Sequence, residues 1–292
     1  MKITLINFYS ALLTVLGALL PAVVQAQDLL NQSVADQPPS AQRIISLGGG
    51  VTEIIYALGQ QDRLIGLDQS SIYPSEAQAL PSVGYYRSVP VEGVLRLKPD
   101  LVIASEQAGP RHALEQLRSL GLRIESVSDE PDLDSLYRRI QQIADLLGVS
   151  QRGQLMRDDL EHKLAHSYRY SAHQPSAMMV VMRSGKLFGA GRATAAAKIM
   201  ELSSLDNVLN DLKGYQPISA EIVSARLPSA LIATKFSVQS MGGIKAVRED
   251  PALRHAPAVK NAQVIELDDL LAQSLGPRLP LAIETVRAGL RE

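Results

Sequence analysis

Arg43-Ile44-Ile45-Ser46-Leu47-Gly48-Gly49-Gly50-Val51-Thr52-Glu53-Ile54-Ile55-Tyr56-Ala57-Leu58-Gly59 is the stretch whose reading decides the fold. Arg43 to Leu47 is a short apolar run of strand length, closed by glycine. Gly48-Gly49-Gly50 turns the chain, and Thr52 to Gly59 reads as a helix stopped by a residue suited to the left-handed closing position. Leu64-Ile65-Gly66-Leu67 follows as a second strand. Strand, helix and strand in that order predict parallel pairing in a sheet covered on both faces.

The alternation continues downstream. A turn-rich segment, Ser70 to Pro90, carries Tyr73, Tyr85 and Tyr86. A short helix over Val91–Leu97, a strand over Leu101–Ala104, a helix over 110–120 and a strand over 122–127 come next. From Leu133 the pattern turns helical. Leu136, Ile140, Ile143 and Leu147 form one apolar stripe ended by Gly148. A second helix, with Ser150 as N-cap, is expected from Gln151 to about Tyr168, with Leu155, Leu160, Leu164 and Tyr168 facing inward. At ~1.5 Å per residue it is long enough to cross between two lobes. Strands over Ala177–Met182, Ser229–Thr234 and 263–267 then alternate with helices over 194–202, 242–250 and 277–290.

The two halves echo each other. Pro90-Val91-Glu92-Gly93-Val94-Leu95 precedes Pro99-Asp100-Leu101-Val102-Ile103-Ala104, and Ser219-Ala220-Glu221-Ile222-Val223 precedes Pro228-Ser229-Ala230-Leu231-Ile232-Ala233. Each is a short helix opened by a glutamate, then a proline, then a buried strand. The expected architecture is therefore α/β, with an N-terminal lobe over 43–148, a connecting helix over 149–172 and a C-terminal lobe over 173–292.

The first 26 residues stand apart. Lys2, an apolar run through Leu20 and a small-residue site at Val24-Gln25-Ala26 read as a secretory signal peptide, cut after Ala26. Gln27 to Gln42, with Pro38-Pro39-Ser40, reads as a disordered leader. The sequence has no cysteine, which removes disulfides, thiolate metal sites, thiol catalysis and lipid attachment through cysteine. The expected location is the periplasm, as a soluble protein. Lys plus Arg total 29 against 30 for Asp plus Glu, so no global charge would draw the chain to nucleic acid or an anionic bilayer.

Catalytic patterns are sparse. The glycine loop lacks a third fingerprint glycine, since Glu53 occupies that position and would repel a pyrophosphate. His162 and His166 stand four apart without the flanking residues of a metalloprotease, and no nucleophile elbow is present. The chain is expected not to be an enzyme. The most informative segment is Pro81-Ser82-Val83-Gly84-Tyr85-Tyr86-Arg87. Two phenols and a guanidinium lie on an irregular segment after a βαβ unit, where α/β clefts open. A phenolate is a hard donor suited to ferric iron, and an adjacent arginine favours the ionised phenol; a tyrosine packed on a lobe surface explains the same residues. Glu92 and Glu221 each open a helix, where exposed amides favour a carboxylate. Their matched placement also suits two charged pegs docking on a symmetrical partner.

These segments resemble the periplasmic haem-binding proteins of bacterial haem ABC importers, within the cobalamin and siderophore class of periplasmic binding proteins. Arg43 to Gly59, Pro81 to Tyr85 with Arg87, Glu92 to Leu95, Lys98 to Val102, Gly214 to Glu221, Ser240 to Gly243 and Gly276-Pro277-Arg278 carry the likeness. The resemblance implies two Rossmann-like lobes on a long rigid helix (a class III binding protein), with one haem in the cleft. It implies Tyr85 as the axial iron ligand and Arg87 as support for its phenolate. Arg192 and Lys235 are its candidates for the haem propionates, and Glu92 and Glu221 for docking on an ABC permease dimer. An outer-membrane haem receptor system would stand upstream. Tyr86 departs from the family's usual aliphatic or methionine. A cobalamin or ferric-siderophore carrier would share the fold, and an exported enzyme is the rival of another class.

Overall fold

The computed structural model describes residues 41–167 and 174–290. The stretch read as a signal peptide, all but the last two residues of the stretch read as a leader, and Tyr168, expected on the second long helix, lie outside the described residues. β1 (Ile44–Leu47), α1 (Gly49–Ala57), β2 (Leu64–Leu67), α2 (Val91–Arg96), β3 (Leu101–Ser105), α3 (Arg111–Ser119) and β4 (Ile124–Val127) build a first lobe. Its four strands pair in the order β2-β1-β3-β4, all parallel. Alternate residues serve opposite faces, as a strand's two-residue period requires. Ile44, Leu101 and Ile103 join one apolar core, while Ile45, Val102 and Ala104 join another on the far side of the sheet.

α4 (Leu133–Leu146) and α5 (Ser150–Ser167) come between the lobes in sequence. Asp132 caps α4 by accepting from the Ser135 amide, and Leu136, Ile140, Ile143 and Leu147 are all buried along one stripe. On α5 the expectation holds for Leu160 and Leu164, which are buried, but Leu155 is 62% exposed. Five residues separate Leu155 from Leu160, a rotation of ~500°, which leaves Leu155 ~140° from the buried face. Ser150 is the first residue of the helix, not its cap.

The second lobe contains β5 (Ser176–Arg183), β6 (Lys186–Ala190), α6 (Ala195–Leu202), β7 (Asp206–Asn207), β8 (Tyr215–Pro217), α7 (Ala220–Arg226) and β9 (Ala230–Thr234). It continues through α8 (Lys235–Met241), α9 (Ile244–Glu249), α10 (Pro257–Lys260), β10 (Val264–Leu267), α11 (Asp269–Gln273) and α12 (Leu279–Gly289). Its sheet runs β10-β9-β5-β6-β8, with β7 beside β5. β10, β9, β5 and β7 are parallel, but β6 and β8 are antiparallel additions, so the wholly parallel expectation holds for the first lobe alone. The matched motifs fall in corresponding places: α2 leads to β3, and α7 leads to β9.

Both sheets belong to one compact unit. A single apolar core runs from Ile44 and Val51 through Ile140 of α4 and Leu160 of α5 to Met179, Ile232 and Val286. No helix among the described residues is long and apolar enough to cross a membrane.

Candidate ligand cleft

The carboxyl ends of β1, β3 and β4 in one lobe, and of β5 and β10 in the other, open on a common cleft of about 710 Å³. In open α/β sheets this end collects ligands, because loops and helix starts converge there with unpaired backbone groups. Gly48-Gly49-Gly50 forms part of the lining. The glycines serve close packing: a Cβ on Gly49 would lie 2.4 Å from the Ser70 carbonyl and 2.7 Å from Leu270 of the second lobe. One on Gly50 would meet Ser274 Oγ at 2.6 Å.

Glu53, unfavourable for a dinucleotide, has a structural role. It is 4% exposed and accepts from Arg278 of the second lobe, through Nη2 at 2.9 Å and the backbone amide at 3.2 Å. The Arg278 guanidinium also stacks on Tyr73, 3.3 Å from the ring centroid. Beside it Arg139 of α4, 1% exposed, donates to Asp129 and to the Leu275 carbonyl of the second lobe. The lobes are thus tied along a seam by two arginines, each with a carboxylate partner.

Asp68 positions the first wall. Fully buried, it accepts from the Gly48 amide and Ser71 Oγ on one oxygen, and from the Ser70 and Tyr86 amides on the other. The Tyr86 carbonyl accepts from the Gly109 amide at 2.9 Å. That segment carries Tyr85, Tyr86 and Arg87 into the cleft lining. The two rings meet edge to face, 5.1 Å between centroids. Arg87 Nε donates to Tyr86 Oη at 2.9 Å; burial lowers the Arg87 guanidinium, but the charge and side-chain hydrogen bonds of Tyr86, and then of Tyr85, outweigh it and raise it above its ordinary value, so the arginine interacts with both phenols. Burial raises the Tyr86 phenol, and the Arg87 charge works against that rise. Tyr85 is the more open of the two, at 45% exposure.

The opposite wall was not anticipated. Arg183, at the end of β5, lies with its guanidinium carbon 4.1 Å from the ring centroid of Tyr215, at the start of β8. Both line the cleft. The Tyr215 hydroxyl is buried without a hydrogen-bond partner, and burial pushes its pKa up to about 12. The sequence signal for Tyr215 is its place in the Gly214–Glu221 stretch that carries the likeness, six residues before the helix-opening Glu221.

Arg192 and Lys235 do not line the cleft. The Arg192 amide pairs with the Leu212 carbonyl at 2.8 Å, and its charge acts on Asp211. Lys235 is exposed at the first position of α8. Among the described lining residues the cations are Arg87 and Arg183. Glu92 and Glu221 lie outside the lining too, both exposed, each at the second position of its helix. A hydrogen bond from Ser219 holds the Glu221 carboxyl below the usual carboxylate range.

Comparison with known proteins places this geometry in context. Residues 44–271 match the family described as "Periplasmic binding protein". The periplasmic heme-binding protein RhuT of Roseiflexus sp. RS-1 is 32% identical, with a TM-score of 0.80 over 85% of this chain and 99% of that one. A periplasmic heme-binding protein of Pseudomonas aeruginosa is 33% identical, with a TM-score of 0.79 over 85% and 92%. The vitamin B12-binding protein of Pectobacterium atrosepticum is 29% identical, over 86% of this chain and 89% of that protein.

Proposed function

Because the chain belongs to the periplasmic binding protein family, we propose that it captures haem in the inter-lobe cleft and delivers it to an inner-membrane ABC permease. The observation that carries the reading is Tyr85-Tyr86-Arg87 in the cleft lining, two phenols beside a guanidinium with no carboxylate within ion-pair distance among the described residues. Tyr85 is the iron ligand in this reading. It is the exposed phenol, whereas Tyr86 is half-buried and already engaged by Arg87. A ring that gives up its proton to bind ferric iron loses less hydration energy at the open position. The likeness to heme-binding structures supports the same cargo.

Function here is reversible capture without a chemical step. The exported state follows from the signal peptide read at residues 1–26. Docking on the permease is assigned to Glu92 and Glu221, supported by their exposure and their matched positions at the starts of α2 and α7. The B12-binding relative favours a second reading, a corrinoid carrier with the same docking surface.

Titration of the mature protein with haemin, cobalamin and a ferric siderophore separates these cargoes. Haemin is expected to give a tyrosinate-type high-spin ferric spectrum that is largely lost in Tyr85→Ala and kept in Tyr86→Phe. An unchanged spectrum in Tyr85→Ala rejects the ligand assignment, and binding of cobalamin alone rejects haem. The Glu92→Ala, Glu221→Ala double variant should bind haem normally yet stimulate the transporter's ATPase poorly. Full stimulation would remove both residues as docking contacts.

A further inference from the structure

Two adjacent phenols line one wall, and the capture scheme above uses only Tyr85. The ring centroids of Tyr85 and Tyr86 are 5.1 Å apart, so side-chain chemistry alone does not choose between them. The backbone does. Tyr85 is extended, with φ −95° and ψ 130°, and Tyr86 opens a short 3₁₀ turn that runs to Ser88. The Tyr86 backbone is pinned on both sides: its amide donates to Asp68 Oδ2 at 3.4 Å, and its carbonyl accepts from the Gly109 amide at 2.9 Å. Where the chain is extended, neighbouring side chains leave it in opposite directions. Pinning Tyr86 turns its ring to a half-buried position against Arg87 and leaves Tyr85 facing outward.

Asp68 is suited to that task. It is fully buried, and no cation of the described residues lies within ion-pair distance of it. A buried carboxylate is tolerated when hydrogen bonds replace its water. Accepting on both oxygens and donating nothing, it can gather amides from separate segments of chain. Gly48, Ser70 and Tyr86 supply those amides, and Ser71 Oγ donates at 2.9 Å. Thr52 Oγ1 lies 2.6 Å behind Ser71 Oγ, and Ser46 Oγ a further 2.6 Å behind Thr52, all of them buried. Because Ser71 gives its proton to Asp68, each hydroxyl behind it donates forward, and the chain is polarised toward the carboxylate. The glycine loop, the turn after β2 and the two phenols thus share one acceptor.

We propose that Asp68 is a positioning residue that selects the iron-binding phenol: by holding the Tyr86 amide it keeps Tyr86 turned inward and presents Tyr85 to the cargo. The inference rests on the haem reading of the cleft and concerns which phenol serves it. Without the Asp68 acceptor, the segment between Gly84 and Gly109 loses one of its anchors, and Tyr86 becomes free to turn toward the iron in place of Tyr85.

Haemin spectra of combined variants test the proposal. Tyr85→Phe alone should lose the tyrosinate signature. Asp68→Ala with Tyr85→Phe should regain one, and adding Tyr86→Phe should abolish it again, which identifies Tyr86 as its source. Asp68→Asn keeps the size of the side chain and serves in place of Asp68→Ala if thermal unfolding shows that the alanine variant does not fold. Ser71→Ala removes one donor of the same hub without touching the Tyr86 amide. Combined with Tyr85→Phe, it should leave the signature lost, whereas a merely structural role predicts that Ser71→Ala and the Asp68 variants act alike. A folded Asp68 variant in which Tyr85→Phe still loses the signature completely overturns the inference and leaves haem capture standing. Recovery of the signature in Ser71→Ala with Tyr85→Phe overturns it as well. A wild-type protein that binds no haemin, or binds it without a tyrosinate spectrum, overturns the iron-ligand reading and this inference with it.

Discussion

The seam and the walls of the cleft use arginine in opposite ways. Along the seam, Arg139 is buried and Arg278 half-buried, they are answered by Asp129 and Glu53, and both reach from one lobe to the other. On the walls, Arg87 and Arg183 are exposed, each lies over a tyrosine ring, and neither has a carboxylate partner among the described residues. A guanidinium with a buried carboxylate is committed to the fold, because removing either charge strands the other. A guanidinium held by aromatic rings, a phenol oxygen or a neutral amide still has its charge to offer. Carboxylate pairing therefore separates arginines that hold the lobes together from arginines that face the cleft. The seam also bears on motion: with one cross-lobe ion pair, a cross-lobe hydrogen bond from Arg139 to the Leu275 carbonyl and a continuous core, ligand entry should proceed with the lobes nearly fixed.

The largest expected effect tests that separation. Arg278→Met leaves Glu53 buried and uncompensated, and should cost about 3–5 kcal/mol in denaturant unfolding. The Glu53→Met, Arg278→Met double variant should cost less than the single one, since replacing a whole buried pair by apolar side chains removes the stranded charge. Arg87→Met, on the wall, should change stability by no more than ~0.5 kcal/mol. If the wall variant is as unstable as the seam variant, the distinction drawn from carboxylate pairing is broken.

How much of this was legible in the sequence varies with the range of the interaction. β1, α1 and the stripe of α4 were readable because apolar spacing within one element fixes its buried face. Tyr85 and Arg87 were readable from their chemistry and from an irregular segment at the edge of a βαβ unit. Glu53 could be read only as an obstacle to a dinucleotide, since its partner lies 225 positions away. Arg183 and Tyr215 were hidden for a related reason. Tyr215 opens β8, and Arg183 ends β5 where the chain turns into β6; both meet the antiparallel part of the second sheet, where Lys186-Leu187-Phe188-Gly189-Ala190 and Tyr215-Gln216-Pro217 carry no strong alternation. Arg192 and Lys235 entered only as propionate candidates that the resemblance implies, and a β-bridge to Lys213 and the start of α8 place them outside the cleft lining. Charge type can be read from sequence, whereas the face it ends on depends on pairings far along the chain.

A smaller effect sharpens the wall side of the comparison. Tyr215 has its pKa pushed up to about 12 by burial, with the Arg183 charge opposing the rise. The folded protein therefore holds this proton more tightly than the unfolded chain. Its contribution is fully present below the unfolded value near 10 and is lost as pH climbs toward about 12. Between those limits the wild type should lose roughly 2–3 kcal/mol more stability than Tyr215→Phe. At neutral pH Tyr215→Phe should unfold at a somewhat higher denaturant concentration than the wild type, because the hydroxyl removed has no partner to lose and its unpaired burial is unfavourable. Parallel alkaline losses in both proteins would mean that the phenol is solvated and free to ionise. In that case a phenolate could neutralise Arg183 from beneath, and the second wall would no longer present a free positive charge to the cleft.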